Sequence, residues 1–292
     1  NYTLSINIPG RDQQTHPIIV ETINPNTLSS GKHHRCQSTY SDSQTTLCFG
    51  ENTHGQLGNN TTQDSLSPTP VTLVQTEADY LFEPHTSHEH VCALSNELDI
   101  YCWGSNSHGQ SSNTSDSNQP THILTPTKIT PPTTILYPDS YELASYQNTH
   151  FRWAQVTTGR AHSCGLSIRG TVYCWGDSSL GQLGWTQSWV IDKSADTEFP
   201  PIQTPATRQY KQISAGADHT CGITTQNLLF CWGSNRHKQI NASNNASTIP
   251  TKINLPDDTN TTFERVWTGP YNTCAKTLPD GDIFCWGDNT YG

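Results

Sequence analysis

The chain has 292 residues, of which 32% are hydrophobic and 14% charged, with a formal net charge of −10. With 41 Thr, 28 Ser and 21 Asn it is poor in the Leu and Ala of a helical core, while 8 Trp, 11 Tyr and 10 Cys argue against disorder. The acidic balance argues against an electrostatic nucleic-acid binder, and no apolar run reaches the roughly 20 residues that span a bilayer.

The chain opens at Asn1 and contains no Met, which predicts a processed or partial chain whose leader has been removed. Pro17-Ile-Ile-Val-Glu21 reads as a short strand. Five cysteine couples follow: Cys36 with Cys48, Cys92 with Cys102, Cys164 with Cys174, Cys221 with Cys231, and Cys274 with Cys285. Zinc sites favour Cys-x(2–4)-Cys couples, and none occurs. Residues about ten apart on a hairpin lie face to face, at the separation a disulfide needs. Spacing alone leaves other connectivities open, but its regularity favours five local disulfides and hence an oxidising compartment.

Each couple sits in a repeated unit. Around the second cysteine the units read Leu-Cys48-Phe-Gly-Glu-Asn-Thr-His-Gly-Gln-Leu-Gly, Tyr-Cys102-Trp-Gly-Ser-Asn-Ser-His-Gly-Gln, and Tyr-Cys174-Trp-Gly-Asp-Ser-Ser-Leu-Gly-Gln-Leu-Gly. Phe-Cys231-Trp-Gly-Ser-Asn-Arg-His-Lys-Gln-Ile and Phe-Cys285-Trp-Gly-Asp-Asn-Thr-Tyr-Gly complete the series. His34, His90, His162 and His219 stand two before the first cysteine, and Asn272 takes that place in the last unit. Tyr210 to Ala215, His219 to Ile223, Leu228 to Gly233 and Ile249 to Leu255 read as four short strands, with a polar turn at Thr225-Gln-Asn. Four antiparallel strands per fifty-odd residues predict a propeller blade. The Trp then fills space between blades, and the Gly after it takes a conformation forbidden to other residues.

The Cys-Trp-Gly-x-Asn-x-x-Gly-Gln-Leu-Gly signature, preceded by Gly-x-x-His-x-Cys, resembles the regulator of chromosome condensation repeat, a β-propeller family. The doubled cysteine resembles the extracellular repeats of the plant crinkly receptor kinases and related secreted proteins. The resemblance covers roughly residues 25–292 and implies an all-β fold with one disulfide per blade. The founder's nucleotide exchange beside chromatin implies a reducing compartment and does not carry over. The family's usual count is seven blades, against five here. A closed five-bladed ring over residues 1–292 is the favoured expectation, with residues 17–21 completing the last blade because they resemble Pro70-Val-Thr-Leu and Pro250-Thr-Lys-Ile. Part of a larger ring, or blades completed by a neighbour, are the alternatives.

Residues 111–148 form a Ser-rich and then Pro/Thr-rich insert, expected as a loop or as an arm reaching a neighbour. Asn-x-Ser/Thr sequons at Asn1, Asn59, Asn60, Asn113, Asn241, Asn245 and Asn260 are candidate N-glycan acceptors in a secreted chain. Catalytic motifs are lacking: there is no Gly-x-Ser-x-Gly elbow and no Walker loop. His85, His88 and His90 could suggest a metal, but His90 holds the repeated position and reads as a hydrogen-bonding group. Asp257-Asp258 and Asp280-Gly-Asp282 read as turns. No cofactor is expected.

These features favour a secreted, non-enzymatic glycoprotein acting as a structural and protein-interaction subunit of an extracellular assembly, with other subunits or copies of itself as partners. A receptor ectodomain is the alternative, and an enzyme or protein inhibitor the third reading. The loops vary between repeats, and Trp185 and Trp189 stand outside the repeated strands, so these are the candidate contacts.

Overall fold

The computed structural model describes residues 27–39, 44–74, 78–112, 120–130, 152–184, 208–242, 245–255 and 260–290. Its strands form five antiparallel sheets, with no helix among the described residues. The first holds β1 (Leu28–Ser30), β2 (His34–Thr39), β3 (Thr45–Gly50) and β4 (Ser65–Pro70). The second holds β5 (Leu81–Thr86), β6 (His90–Ser95), β7 (Ile100–Ser105) and β8 (His122–Lys128), and the third β9 (Trp153–Thr158), β10 (His162–Ser167) and β11 (Val172–Gly176). The fourth holds β12 (Tyr210–Ala215), β13 (His219–Thr224), β14 (Leu229–Gly233) and β15 (Ser247–Lys252), and the fifth β16 (Thr262–Thr268), β17 (Asn272–Leu278) and β18 (Ile283–Gly287).

Strands follow chain order within each sheet, as expected of propeller blades. Three sheets show the expected four strands, and the third and fifth show three among the described residues. The proposed closing strand at residues 17–21 lies outside the described residues. Within the 111–148 insert, expected as a loop or an arm, residues 122–128 are instead β8, the fourth strand of its sheet. Thr127 pairs with Cys102 there as Thr251 pairs with Cys231 and Thr69 with Cys48. The Pro-Thr steps at Pro126, Pro250 and Pro68 therefore mark an outer-edge strand, where proline is tolerated.

The cysteines of each couple are direct cross-strand partners, and all five predicted disulfides are formed, with Cα–Cα separations of 4.0–4.1 Å. Each crosslinks the second and third strands of one sheet. A closed loop this short contributes about 2–3 kcal/mol in the chain-entropy account.

Four apolar clusters hold successive sheets together. In three of them one face of a sheet offers its cystine and an aliphatic pair, and the next sheet brings first-strand and third-strand aromatics onto it. Between the third and fourth sheets, Cys164, Leu166, Val172 and Cys174 meet Tyr210, Ile213, Phe230 and Trp232. Trp153 and Tyr173 repeat this on the second sheet, and Phe263 and Val266 on the fourth. The sheets pack serially from first to fifth, and among the described residues the fifth has no comparable packing on the first.

The glycine after the Trp pairs directly with the repeated His: His162 with Gly176, His219 with Gly233. Gly233 has φ +105°, and a Cβ there would lie 2.5 Å from the Asp218 carbonyl oxygen. Gly233→Ala should therefore cost about 2–3 kcal/mol, from both the backbone conformation and the clash. Urea unfolding checks this, and a loss below about 0.5 kcal/mol would contradict the close packing.

Candidate interaction surfaces

The apolar junctions carry a repeated polar centre. Ser163 Oγ donates to the Gln110 carbonyl at 3.0 Å, and Trp175 Nε1 donates to the same oxygen at 3.0 Å. Thr220 and Trp232 do the same to the Gln182 carbonyl at 3.2 and 2.9 Å. Thr273 and Trp286 repeat it on the Gln239 carbonyl at 2.8 and 2.9 Å. The hydroxyl's one proton is thereby committed, so it accepts from the His of the preceding sheet. His90 Nε2 lies 2.8 Å from Ser163 Oγ, His162 Nε2 2.9 Å from Thr220 Oγ1, and His219 Nε2 3.0 Å from Thr273 Oγ1. These rings are thus Nε2–H tautomers. Between the first and second sheets the hydroxyl is replaced by Val91. Trp103 still donates to the Gln56 carbonyl, but His34 is buried with neither ring nitrogen bonded among the described residues.

Burial holds these rings neutral. It lowers the His34 and His162 pKa to about 4 and those of His90 and His219 to about 3. His85 is also a junction residue: its Nδ1 lies 3.1 Å from Thr158 Oγ1. His85 and His90 therefore each face a hydroxyl of the next sheet rather than a shared centre.

The loops after the third strands rest on two further side chains. Asn52, Asn106 and Asn235 accept backbone N–H groups of their own loops at Oδ1 and donate across the loop from Nδ2. Gln56, Gln110, Gln182 and Gln239 accept an N–H two residues earlier, at 2.8–2.9 Å. Rigid loop bases thus present exposed tips of different chemistry, such as Ser107-His108 and Arg236-His237-Lys238.

The described sequons divide into two groups. Asn245 and Asn260 are exposed, and so is Asn60. Asn59 Oδ1 instead accepts from Thr61 Oγ1 at 2.8 Å and from Asn52 Nδ2, and Asn241 Oδ1 accepts from Asn235 Nδ2 at 2.9 Å. Asn1, Asn113, Trp185 and Trp189 lie outside the described residues, as does Asp257-Asp258.

The fifth sheet is the least covered. Trp267, Tyr271, Ile283 and Phe284 are exposed, and Cys285 is exposed where the other four third-strand cysteines are buried. An open recess of about 620 Å³ lies there, lined by residues including Tyr271, Asn272, Cys285, Trp286 and Asp288.

Comparison with known proteins agrees with this architecture. Two families described as Regulator of chromosome condensation (RCC1) repeat match the chain, one over residues 87–110, 153–182 and 210–239 and the other over residues 45–84 and 169–223. The chain belongs to the RCC1-repeat family. Among curated proteins, the ultraviolet-B receptor UVR8 of Arabidopsis thaliana is 27% identical over 84% of this chain and 49% of its own length. The human probable E3 ubiquitin-protein ligase HERC6 is 26% identical over 95% of this chain and 25% of its own. This RCC1-repeat chain therefore spans half or less of these relatives. Among solved structures, yeast RCC1 (Prp20) bound to Kap60 has a TM-score of 0.69 at 20% identity, covering 90% of this chain and 56% of that one. The ectodomain of the Physcomitrella patens receptor kinase CR4 has a TM-score of 0.52 at 19% identity, covering 89% and 51%. Both likenesses are of fold.

Thr220→Val removes an acceptor from His162 and a donor from the Gln182 carbonyl, and should cost about 1–3 kcal/mol. Val91→Thr supplies the missing hydroxyl to His34 and should raise Tm; denaturation of both variants tests the pair. The lowered histidine pKa values also set a pH dependence. Unfolded histidines protonate near pH 6.5 whereas the buried rings resist until about pH 4 or 3. Stability is then full above that unfolded value and falls as pH drops, by up to about 1.4 kcal/mol per pH unit for each ring. Calorimetry should show Tm falling from pH 7 to pH 4.5, and a flat Tm would contradict neutral burial. Glycopeptide mass spectrometry on natively produced protein should find Asn245 and Asn260 occupied, with Asn59 and Asn241 bare.

Proposed function

We propose that this RCC1-repeat protein is a secreted, non-enzymatic glycoprotein that works by binding protein neighbours as a subunit of an extracellular assembly. The observation that carries this reading is that every cysteine is in a disulfide, one per sheet, at sites fixed by the repeat. Such a framework belongs to oxidising surroundings. The recurring parts of the repeat are committed to scaffold: the cystines and aromatics fill the junctions, and His, Ser/Thr, Trp and Gln form their polar centres. Recognition is left to the loop tips and sheet edges, where rigid scaffolds usually carry it. Partners are other protein subunits, with copies of the chain among them, and glycans are covalent surface groups at the exposed sequons.

Trp185 and Trp189 remain our candidate contacts, because both stand outside the repeated strands and Trp is enriched in interface hot spots. The receptor-ectodomain reading has one observation in its favour, the fold likeness to CR4.

Light scattering and imaging of natively produced protein separate these readings. The assembly reading expects ordered oligomers that are weakened by Trp185→Ala combined with Trp189→Ala, with all five disulfides still formed in peptide maps. A protein that stays monomeric at high concentration and meets no partner would overturn it and favour the receptor reading.

A further inference from the structure

The eleven described histidines fall into two sets. His34, His85, His90, His162 and His219 belong to the junctions. His33, His54, His88, His108, His122 and His237 all lie at one end of the sheets, where the turn between the first two strands meets the loop after the third. That end is one continuous surface. Within sheets the loop bonds to the turn: Glu51 N–H donates to the His33 carbonyl at 3.0 Å, Ser105 N–H to that of Glu89 at 2.8 Å, and Ser234 N–H to that of Asp218 at 2.7 Å. Between sheets, Lys32 N–H donates to the Ser87 carbonyl at 3.0 Å and Arg160 N–H to that of Ala217 at 2.8 Å. The turns at the opposite end, residues 96–99, 168–171, 225–228 and 279–282, hold no histidine.

The fixed charges of the histidine-bearing end nearly cancel. Lys32, Arg160, Arg236 and Lys238 stand against Glu51, Asp64, Glu89, Asp177, Asp218 and Asp288, a net charge of −2 with the imidazoles neutral and +4 with all six protonated. Histidine is the side chain whose charge ordinarily changes between about pH 5 and 8. His54 Nε2 lies 3.7 Å from Glu89 Oε2, and its ring meets that of His122 edge-on at 4.9 Å. His237 stacks on Tyr271 at 4.7 Å and acts on Asp288. His88 sits among Lys32, Arg160, Glu89 and Asp218; burial, then the two cations, lower its pKa and delay its protonation. The junction rings of His34, His90, His162 and His219 stay neutral until about pH 4 or 3. Mild acid therefore changes the sign of this face before it reaches the rings that hold the sheets together.

We propose that this face docks an acidic protein segment in mild acid and releases it at neutral pH. Carboxylates are the anions the face already takes: Arg160 Nη2 holds Asp218 Oδ1 at 2.8 Å, and His54 faces Glu89. Its cationic groups stand on separate turns and loops rather than in one cradle, which suits carboxylates spaced along an extended segment better than one small anion. The inference stands on the placement of charge and does not depend on the proposed extracellular assembly.

The test is fluorescence anisotropy with a labelled oligoglutamate, whose carboxylates stay ionised between about pH 7.5 and 5.5 because their pKa lies near 4.3. Affinity should rise about tenfold over that step at low salt, and the rise should vanish at about 0.5 M salt. His33→Gln, His54→Gln, His108→Gln and His237→Gln together should leave binding at neutral pH unchanged and cut the rise to about twofold. Arg169→Gln with Lys211→Gln, at the opposite end of the sheets, should leave the tenfold rise in place. Circular dichroism at both pH values checks that each variant is folded. Equal affinity at the two pH values would overturn the proposal. So would a full rise in the fourfold histidine variant, which assigns the effect to the general loss of negative charge. Tighter binding of a sulfated polysaccharide fragment of equal charge would also overturn it and assign the face to a polysaccharide.

Discussion

A carbonyl oxygen accepts two hydrogen bonds, and the architecture depends on where three glutamine carbonyls direct both of theirs. Gln110, Gln182 and Gln239 lie in loops of one sheet and accept an indole N–H and a hydroxyl from the next. A buried carbonyl left open would cost free energy, so the loop and the neighbouring sheet hold each other in place. The hydroxyl then requires a donor, and the His of the loop's own sheet provides it. One short circuit therefore links loop, strand and adjoining sheet, and the apolar cluster around it excludes water.

The disulfides act at a different level. They close each sheet upon itself and form no covalent bond between sheets, so a sheet is locked covalently while a junction is held by packing and hydrogen bonds. This division explains the tolerance for altered junction residues. Val91 omits the hydroxyl between the first two sheets, and the junction persists on the indole bond, apolar contact and flanking bonds such as Thr46 Oγ1 to the Leu81 carbonyl and the Thr86 N–H to Ser29 Oγ. The histidines make the remaining junctions sensitive to acid, since a second ring proton has no acceptor at Nδ1 of His162 or His219 among the described residues.

Much of this was legible in the chain because the repeat is marked by rare residues. Cysteine, tryptophan and glycine recur at fixed places, so the central hairpin of each sheet and the family could be read, and the regular spacing favoured the disulfide pairing that is observed. The junction circuit was harder to see. Ser163, Thr220 and Thr273 do follow the His position or its Asn substitute in register, but among 41 Thr and 28 Ser they attract no notice. The bonded atom of each Gln is its main-chain oxygen, which leaves little trace in side-chain chemistry. The strand at His122–Lys128 was hidden for a different reason. Outer strands are largely exposed, as Ser65–Pro70 shows, and so lack the alternation that reveals a half-buried strand. What identifies them is the recurrent Pro-Thr step opposite the second cysteine. The exposed fifth sheet was not foreseeable, because its cystine and Ile283 look the same in sequence as their buried counterparts.

The sheets of this scaffold are fixed relative to one another by the circuit. A double-mutant cycle on His162→Leu and Thr220→Val tests that claim most directly. If the two groups are partners, removing either leaves the other buried without its bond, and removing both does not. The double variant should then be more stable than the sum of the single losses by about 1 kcal/mol or more. Losses that add within about 0.3 kcal/mol would show that the circuit does not hold the sheets together.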